Sequence, residues 1–137
     1  MKNLVFIVED NPTQQKMLQV HFEQILGDYE VKTFNHPDQL IEHLREKPFA
    51  IVLDHYFDGP KTGLDYLEII RKTHPKLPII YHTSTQDESV KNRVKALGVE
   101  HYIVKDSASW VRLRTALDIL HEKSSRKGFF KRIFSRD

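Results

Sequence analysis

The sequence predicts an open, doubly wound α/β fold built on a five-stranded parallel sheet. Two observations carry this expectation. Five apolar, β-rich runs alternate with five segments of helical periodicity, which is a (βα)5 order. The central runs are apolar throughout, the pattern of strands covered on both faces. Five such units are too few to close an eight-stranded barrel, so the sheet should stay open.

Each element has its own signal. "LVFIVE" (Leu4 to Glu9) is the first strand, and "DNP" marks entry to a helix. From Thr13 to Leu26, Met17, Val20 or His21, Ile25 and Leu26 recur at helical spacing, with Gly27 as the stop. "YEVKTF" alternates as a short strand, and Pro37 opens a helix carrying Leu40, Ile41 and Leu44. "FAIVLD" is the third strand. "GLDYLEIIRK" is a helix with Leu64, Leu67 and Ile70 or Ile69 inward, closed before Pro75. "LPIIYHTS" is the fourth strand, and "DESVKNRVKALG" a polar helix with a Val90, Val94, Leu97 stripe that ends at Gly98. "EHYIVK" is the fifth strand, followed by "SASWVRLRTALDIL", a helix with Trp110, Leu113, Leu117 and Leu120 on one side.

The chain has 137 residues, 39% hydrophobic and 29% charged, which suits one domain with a single core. It has no cysteine, which excludes disulfides and thiolate metal sites. No apolar run approaches the roughly 20 residues that span a bilayer, and the N-terminus enters a strand directly. The expected setting is soluble and cytoplasmic. Charge is uneven. Six Lys/Arg and two acids lie from His121 onward, a balance of +4, against −2 for the preceding residues. We therefore expect a globular domain over residues 1–121 and a basic, Phe-rich tail over 122–137.

In open α/β sheets ligands sit beyond the carboxyl ends of the strands. The first strand ends in Glu9-Asp10, the third in Asp54, the fourth in Thr83-Ser84 and the fifth in Lys105. A single polar strand end is usually the chain returning to water; this set of types on one edge is harder to dismiss. Crowded carboxylates repel unless a cation sits among them, and a hard divalent ion prefers oxygen ligands. Asp54 could then attack phosphorus, with Thr83 and Lys105 contacting phosphoryl oxygens.

These pieces together resemble the receiver domain of two-component response regulators, over residues 3 to about 121. The matching motifs are "IVEDN", "IVLD", "PIIYHTS" and "YIVKD". The resemblance implies the flavodoxin-like strand order 2-1-3-4-5 and a Mg²⁺ (or Mn²⁺) ion. Asp10 would be the direct metal ligand, Glu9 the second, often water-mediated acid, and Asp54 both ligand and phosphorylation site. The backbone carbonyl of Tyr56 would be a third protein ligand. Thr83 would be the switch hydroxyl, Lys105 the cation on the phosphoryl group and Tyr102 the switch aromatic. A sensor histidine kinase or histidine phosphotransfer protein would be the donor. A downstream protein, or a second copy, would meet the surface formed by the fourth helix, fifth strand and fifth helix.

Two departures stand out. Asp106 follows Lys105 where the family usually has proline, so a trans bond and a locally altered loop are expected. Asp58 stands four residues after the phosphoacceptor where proline is common, in a loop about one residue longer. The large Tyr56 beside the site, with Thr85 on the other flank, should shield an acyl phosphate from water.

Other readings are weaker. Among eight histidines only His55 and His82 fall near the acidic edge, and no HxH or HxxxH spacing occurs. In a strand His82 should point away from Thr83, and His55 should touch the pocket and tune access. A dehalogenase-type phosphatase would need an acid at Tyr56 and room for a cap domain. The stronger rival is a receiver-like module that binds a partner without phosphorylation. With no DNA-binding domain after residue 121, direct DNA binding is not expected. In the tail, Phe129, Phe130, Ile133 and Phe134 share one helical side, with Lys127, Lys131, Arg132 and Arg136 as charge. Docking on a partner, packing back on the domain and contact with an anionic membrane are all open, the last disfavoured by the short length.

Overall fold

The computed structural model describes residues 3–25 and 27–134, without the side chains of residue 25 and residues 127–134. The strands are β1 (Asn3–Val8), β2 (Tyr29–Phe34), β3 (Ala50–Leu53), β4 (Ile79–Thr83) and β5 (His101–Val104). The helices are α1 (Pro12–Gln19), α2 (Pro37–Glu42), α3 (Gly63–Thr73), α4 (Glu88–Ala96) and α5 (Ser109–Phe134). The strands form one sheet in the order β2-β1-β3-β4-β5. Every pairing is parallel, with Val5 opposite both Val31 and Ala50, and Ile80 opposite His101.

Strand periodicity divides the core in two. Val5, Ile7, Val52, Ile80 and Ile103 project to one face, where Leu18 and Phe22 and the α5 residues Leu113, Leu117 and Leu120 cover them. Phe6, Ile51, Leu53, Ile79 and Tyr81 project to the other, under Leu40, Leu64, Leu67, Ile70 and Val94. This is why the central strands read as unbroken apolar runs. Val90, Leu97 and Trp110 of the expected stripes are only half-buried, at the rim of these clusters.

Helix ends follow local chemistry. The Asn11 side chain accepts the Gln14 N–H at 3.1 Å before Pro12, and the Asp65 carboxylate accepts the Thr62 N–H at 2.7 Å at the start of α3. Asp87 caps α4, and Gly98 closes it at φ +82°, a conformation that favours glycine.

The first helix differs from expectation. After Gln19 the chain continues as a π-helical segment, Val20–Ile25. Met17 is 47% exposed and Val20 is also exposed, whereas Leu18 and Phe22 are the buried pair. Apolar residues lie on both sides of this segment, so spacing alone could not choose the inward stripe. Leu26 falls outside the described residues, as do the side chains of the tail cluster Phe129, Phe130, Ile133 and Phe134 and of Lys127, Lys131 and Arg132; Arg136 lies outside altogether. The backbone of α5 runs through residue 121 without a break to Phe134. Among the described residues no helix is long and apolar enough to cross a membrane.

Candidate functional site

The carboxyl ends of β1, β3, β4 and β5 meet at one edge because the strands are parallel and in register. The Glu9 N–H donates to the Phe34 carbonyl at 2.8 Å, and the Lys105 N–H donates to the Thr83 carbonyl at 2.8 Å. The strand tips are thus held by ladder bonds one residue beyond the strands themselves. Glu9 is held further: the Gln15 side-chain amide donates to its carbonyl and to Asn35 Oδ1 (2.8 Å), while its own carboxylate accepts the Asn11 N–H at 3.2 Å. Asp10 is exposed.

Asp54 is half-buried at the tip of β3. Lys105 Nζ donates to its Oδ2 at 2.6 Å, and the His55 N–H donates to its Oδ1 at 2.6 Å. Burial alone would push this carboxyl up. Hydrogen bonds from Lys105 and Thr83, the lysine charge and the His55 N–H outweigh burial and hold it below its ordinary value. At neutral pH Asp54 is therefore an ionised, oriented carboxylate, the form a nucleophile requires. Thr83 is fully buried, and its hydroxyl also accepts the Thr85 N–H at 3.4 Å.

Glu9, Asp10, Asp54, Tyr56 and Lys105 line one cleft of about 340 Å³. A second cleft of about 280 Å³ reaches Asp54 from the α1 and α5 side, past His82, Asp106 and Trp110. Among the described residues no three His, Asp or Glu side chains stand close enough together to hold a metal ion. The Asp54 carboxylate is instead engaged by Lys105. The donor set is nonetheless all oxygen and sits around one cleft, which is the chemistry of a hard divalent cation.

The loop after Asp54 is anchored by its aromatic residues. Phe57 packs edge-on against Tyr66 at 5.8 Å and beside His36 at 6.4 Å. The His36 ring reaches the Asp58 carbonyl at 3.1 Å, so the residue standing where proline is common serves through its backbone. Tyr56 is 59% exposed, with its ring edge-on to His55.

His55 departs from expectation. It is buried and does not line the acidic cleft, and its Nδ1 lies 2.7 Å from the Tyr81 hydroxyl. Sequence reasoning missed Tyr81, although it sits two residues before Thr83 and so on the same strand face. Burial pushes the Tyr81 phenol up, with the Tyr102 and Asp54 charges adding to the effect. His82 points to the opposite face, as expected, and pairs with the Ser109 hydroxyl at 3.0 Å. Tyr102 stacks on Tyr81 (5.5 Å, 25°) and donates to the Thr85 carbonyl at 2.6 Å.

The Lys105–Asp106 bond is trans, since no cis peptide occurs among the described residues. Asp106 turns the chain into α5: its Oδ1 accepts the Ala108 N–H at 2.8 Å, its carbonyl accepts the Ser109 N–H at 3.2 Å, and Arg112 pairs with its Oδ2 at 2.7 Å. The aspartate thus closes the turn that leads into α5.

A family model of the response regulator receiver domain matches residues 5–118. The chain belongs to that family. Solved receiver domains share its fold. The signal receiver domain of a Luxo repressor protein from Vibrio parahaemolyticus superposes with a TM-score of 0.78 at 19% identity, covering 96% of this chain and 98% of that one. The non-phosphorylated HemR receiver domain of Leptospira biflexa gives 0.75 at 21% identity, over 87% and 94%. A response regulator receiver protein of Pseudomonas putida gives 0.74 at 20%, over 86% and 97%. No curated protein matches the sequence. Membership supports a phosphoacceptor role in two-component signalling, in a family whose members are typically phosphoacceptors rather than enzymes and generally use Mg²⁺.

Proposed function

We propose that this receiver domain accepts a phosphoryl group on Asp54 from the phosphohistidine of a sensor histidine kinase or histidine phosphotransfer protein. The observation that carries this reading is the Asp54–Lys105 pair at the carboxyl edge of the sheet, with the Thr83 hydroxyl against the same carboxylate. An Asp54 carboxylate oxygen forms the new bond to phosphorus as the histidine N–P bond breaks, and the imidazole leaves with the bonding pair. Lys105 then transfers its contact from carboxylate to phosphoryl oxygen, and Thr83 donates to a second oxygen. Glu9, Asp10, Asp54 and the Tyr56 carbonyl would hold Mg²⁺ (or Mn²⁺), which when bound supplies charge neutralisation on the transferring group. Beyond accepting and losing the phosphoryl group, no turnover of another substrate is proposed.

The signal then passes as a change in protein–protein contact. Phosphorylation draws on Thr83, and the loop that Tyr102 holds through Thr85 rearranges. The surface of α4, β5 and α5 changes with it and meets a downstream protein or a second copy. In this reading residues 1–121 form the receiver of a cytoplasmic signalling protein, and residues 122–137 a basic segment with its own contact.

The test is direct. Incubation with Mg²⁺ and a small phosphodonor should add one phosphoryl group by intact mass, and Asp54→Asn should abolish it. Absence of the adduct on the unaltered chain would leave a module that binds its partner independently of phosphorylation.

A further inference from the structure

Tyr81 and His55 form a polar contact directly behind the phosphoacceptor, and nothing in the proposed chemistry uses it. Tyr81 is fully buried in the middle of β4, and Leu53 of β3 is its register partner. A tyrosine hydroxyl in such a place is costly unless hydrogen-bonded. Its partner is the His55 ring, at 2.7 Å. His55 in turn presents its backbone to the site: its N–H orients Asp54 Oδ1, and its carbonyl accepts the Gly63 N–H at 2.8 Å. The space is tight, because a Cβ at Gly63 would overlap both the Asp54 carbonyl oxygen and the Tyr81 hydroxyl.

From the other side, the Tyr81 ring lies over Tyr102, its register partner on β5. Tyr102 is tied through Thr85 back to Thr83. The contacts therefore close a ring: Asp54, His55, Tyr81, Tyr102, Thr85 and Thr83. Two routes connect the phosphoacceptor to Tyr102, one through the threonines and one through His55 and Tyr81.

We infer that Tyr81 is a positioning residue of the phosphoacceptor site, orienting Asp54 through His55 and coupling that orientation to Tyr102 through the ring stack. The inference rests on the reading of Asp54 as phosphoacceptor. It acts at a distance from the reacting atoms: the hydroxyl holds the imidazole, the imidazole fixes the backbone that follows Asp54, and that N–H sets the carboxylate rotamer. A phosphoryl group on Asp54 that displaces the His55 N–H would be felt at Tyr81 and so at Tyr102.

Tyr81→Phe keeps the ring and the stack and removes only the hydroxyl. His55→Phe removes the ring nitrogen, whereas His55→Asn keeps a polar side-chain atom at the position of Nδ1. Adduct formation with Mg²⁺ and a small phosphodonor is followed by intact mass, and the Tyr102 ring signal by NMR before and after phosphorylation. Tyr81→Phe and His55→Phe should each slow adduct formation about fivefold to tenfold, the weight of one hydrogen bond, and shrink the phosphorylation-induced shift of Tyr102. His55→Asn should retain the rate and the shift. A purely structural contact would lower thermal stability and leave the Tyr102 shift intact. The inference is overturned if Tyr81→Phe phosphorylates at the unaltered rate with a full Tyr102 response, or if His55→Asn is as impaired as His55→Phe. Failure of the unaltered chain to take up phosphate would instead overturn the assignment of Asp54.

Discussion

Lys105 Nζ lies 2.6 Å from Asp54 Oδ2, joining the tips of β5 and β3, two strands that are not neighbours in the sheet. The lysine thereby spans β4 and fixes the carboxylate that Thr83 and His55 also touch. Replacing it with glutamine should slow adduct formation on Asp54 by about 10²-fold, the scale of removing one electrostatic donor from a reacting oxyanion. A time course by intact mass with a small phosphodonor measures this.

The same pair contributes to acid stability, and its sign follows from the lowered carboxyl. A carboxyl held below its ordinary value of 3.8 stabilises the fold above that pH and loses the contribution as pH falls through the folded-state value. Urea titrations across the acid limb should show a steep loss of stability in the unaltered chain. Asp54→Asn should flatten that limb. An acid limb of unchanged slope in the variant would assign the loss to other carboxylates.

His82 acts over a different range. Burial, with the Lys105 charge adding to it, pushes its imidazole from an ordinary 6.5 down to about 4. The neutral ring is favoured in the fold and the protonated ring in the unfolded chain. Its contribution is therefore complete above 6.5 and is lost progressively as pH falls towards 4, by up to about 3 kcal/mol. His82→Gln, which can still meet the Ser109 hydroxyl, should reduce the pH dependence between those limits, leaving the part due to His101, whose imidazole burial also pushes down. Denaturant midpoints at several pH values test this.

Gly63 should not tolerate a side chain. With Cβ directed at the Asp54 carbonyl oxygen and the Tyr81 hydroxyl, Gly63→Ala must displace either the phosphoacceptor loop or the buried tyrosine. A loss of about 2–3 kcal/mol is expected from the overlap, together with slower phosphorylation. Chemical denaturation and the mass assay read the two effects separately.

Tyr56 stands at the mouth of the cleft, largely exposed and braced edge-on against His55. If it shields the acyl phosphate, Tyr56→Asn should shorten the lifetime of the phosphorylated protein several-fold, with no change in folding stability beyond about 0.5 kcal/mol. Loss of the added mass after removal of the donor gives the lifetime. An unchanged lifetime would assign the shielding elsewhere.

Much of this was legible in the chain. Glu9, Asp10, Asp54, Thr83 and Lys105 announce themselves because each ends a strand whose apolar run is unmistakable, and parallel strands bring their carboxyl ends to one edge. His55 and Tyr81 were not legible in the same way. One reads as a polar residue in a loop and the other as a core aromatic, and only packing shows that their polar atoms meet. The inward face of α1 was hidden for a related reason: Met17 and Val20 compete with Leu18 and Phe22, and the π-helical segment and the sheet decide between them.

The sequence by itself determined the order of elements, the two-sided core and the identity of the acidic edge, since these depend on local periodicity and on where apolar runs stop. Tertiary structure alone decided that the Asp58 carbonyl meets the His36 ring, and that a buried histidine and tyrosine stand behind Asp54. Those outcomes depend on which polar atoms approach across strands and loops far apart in the chain. Short-range pattern carries no record of such distances.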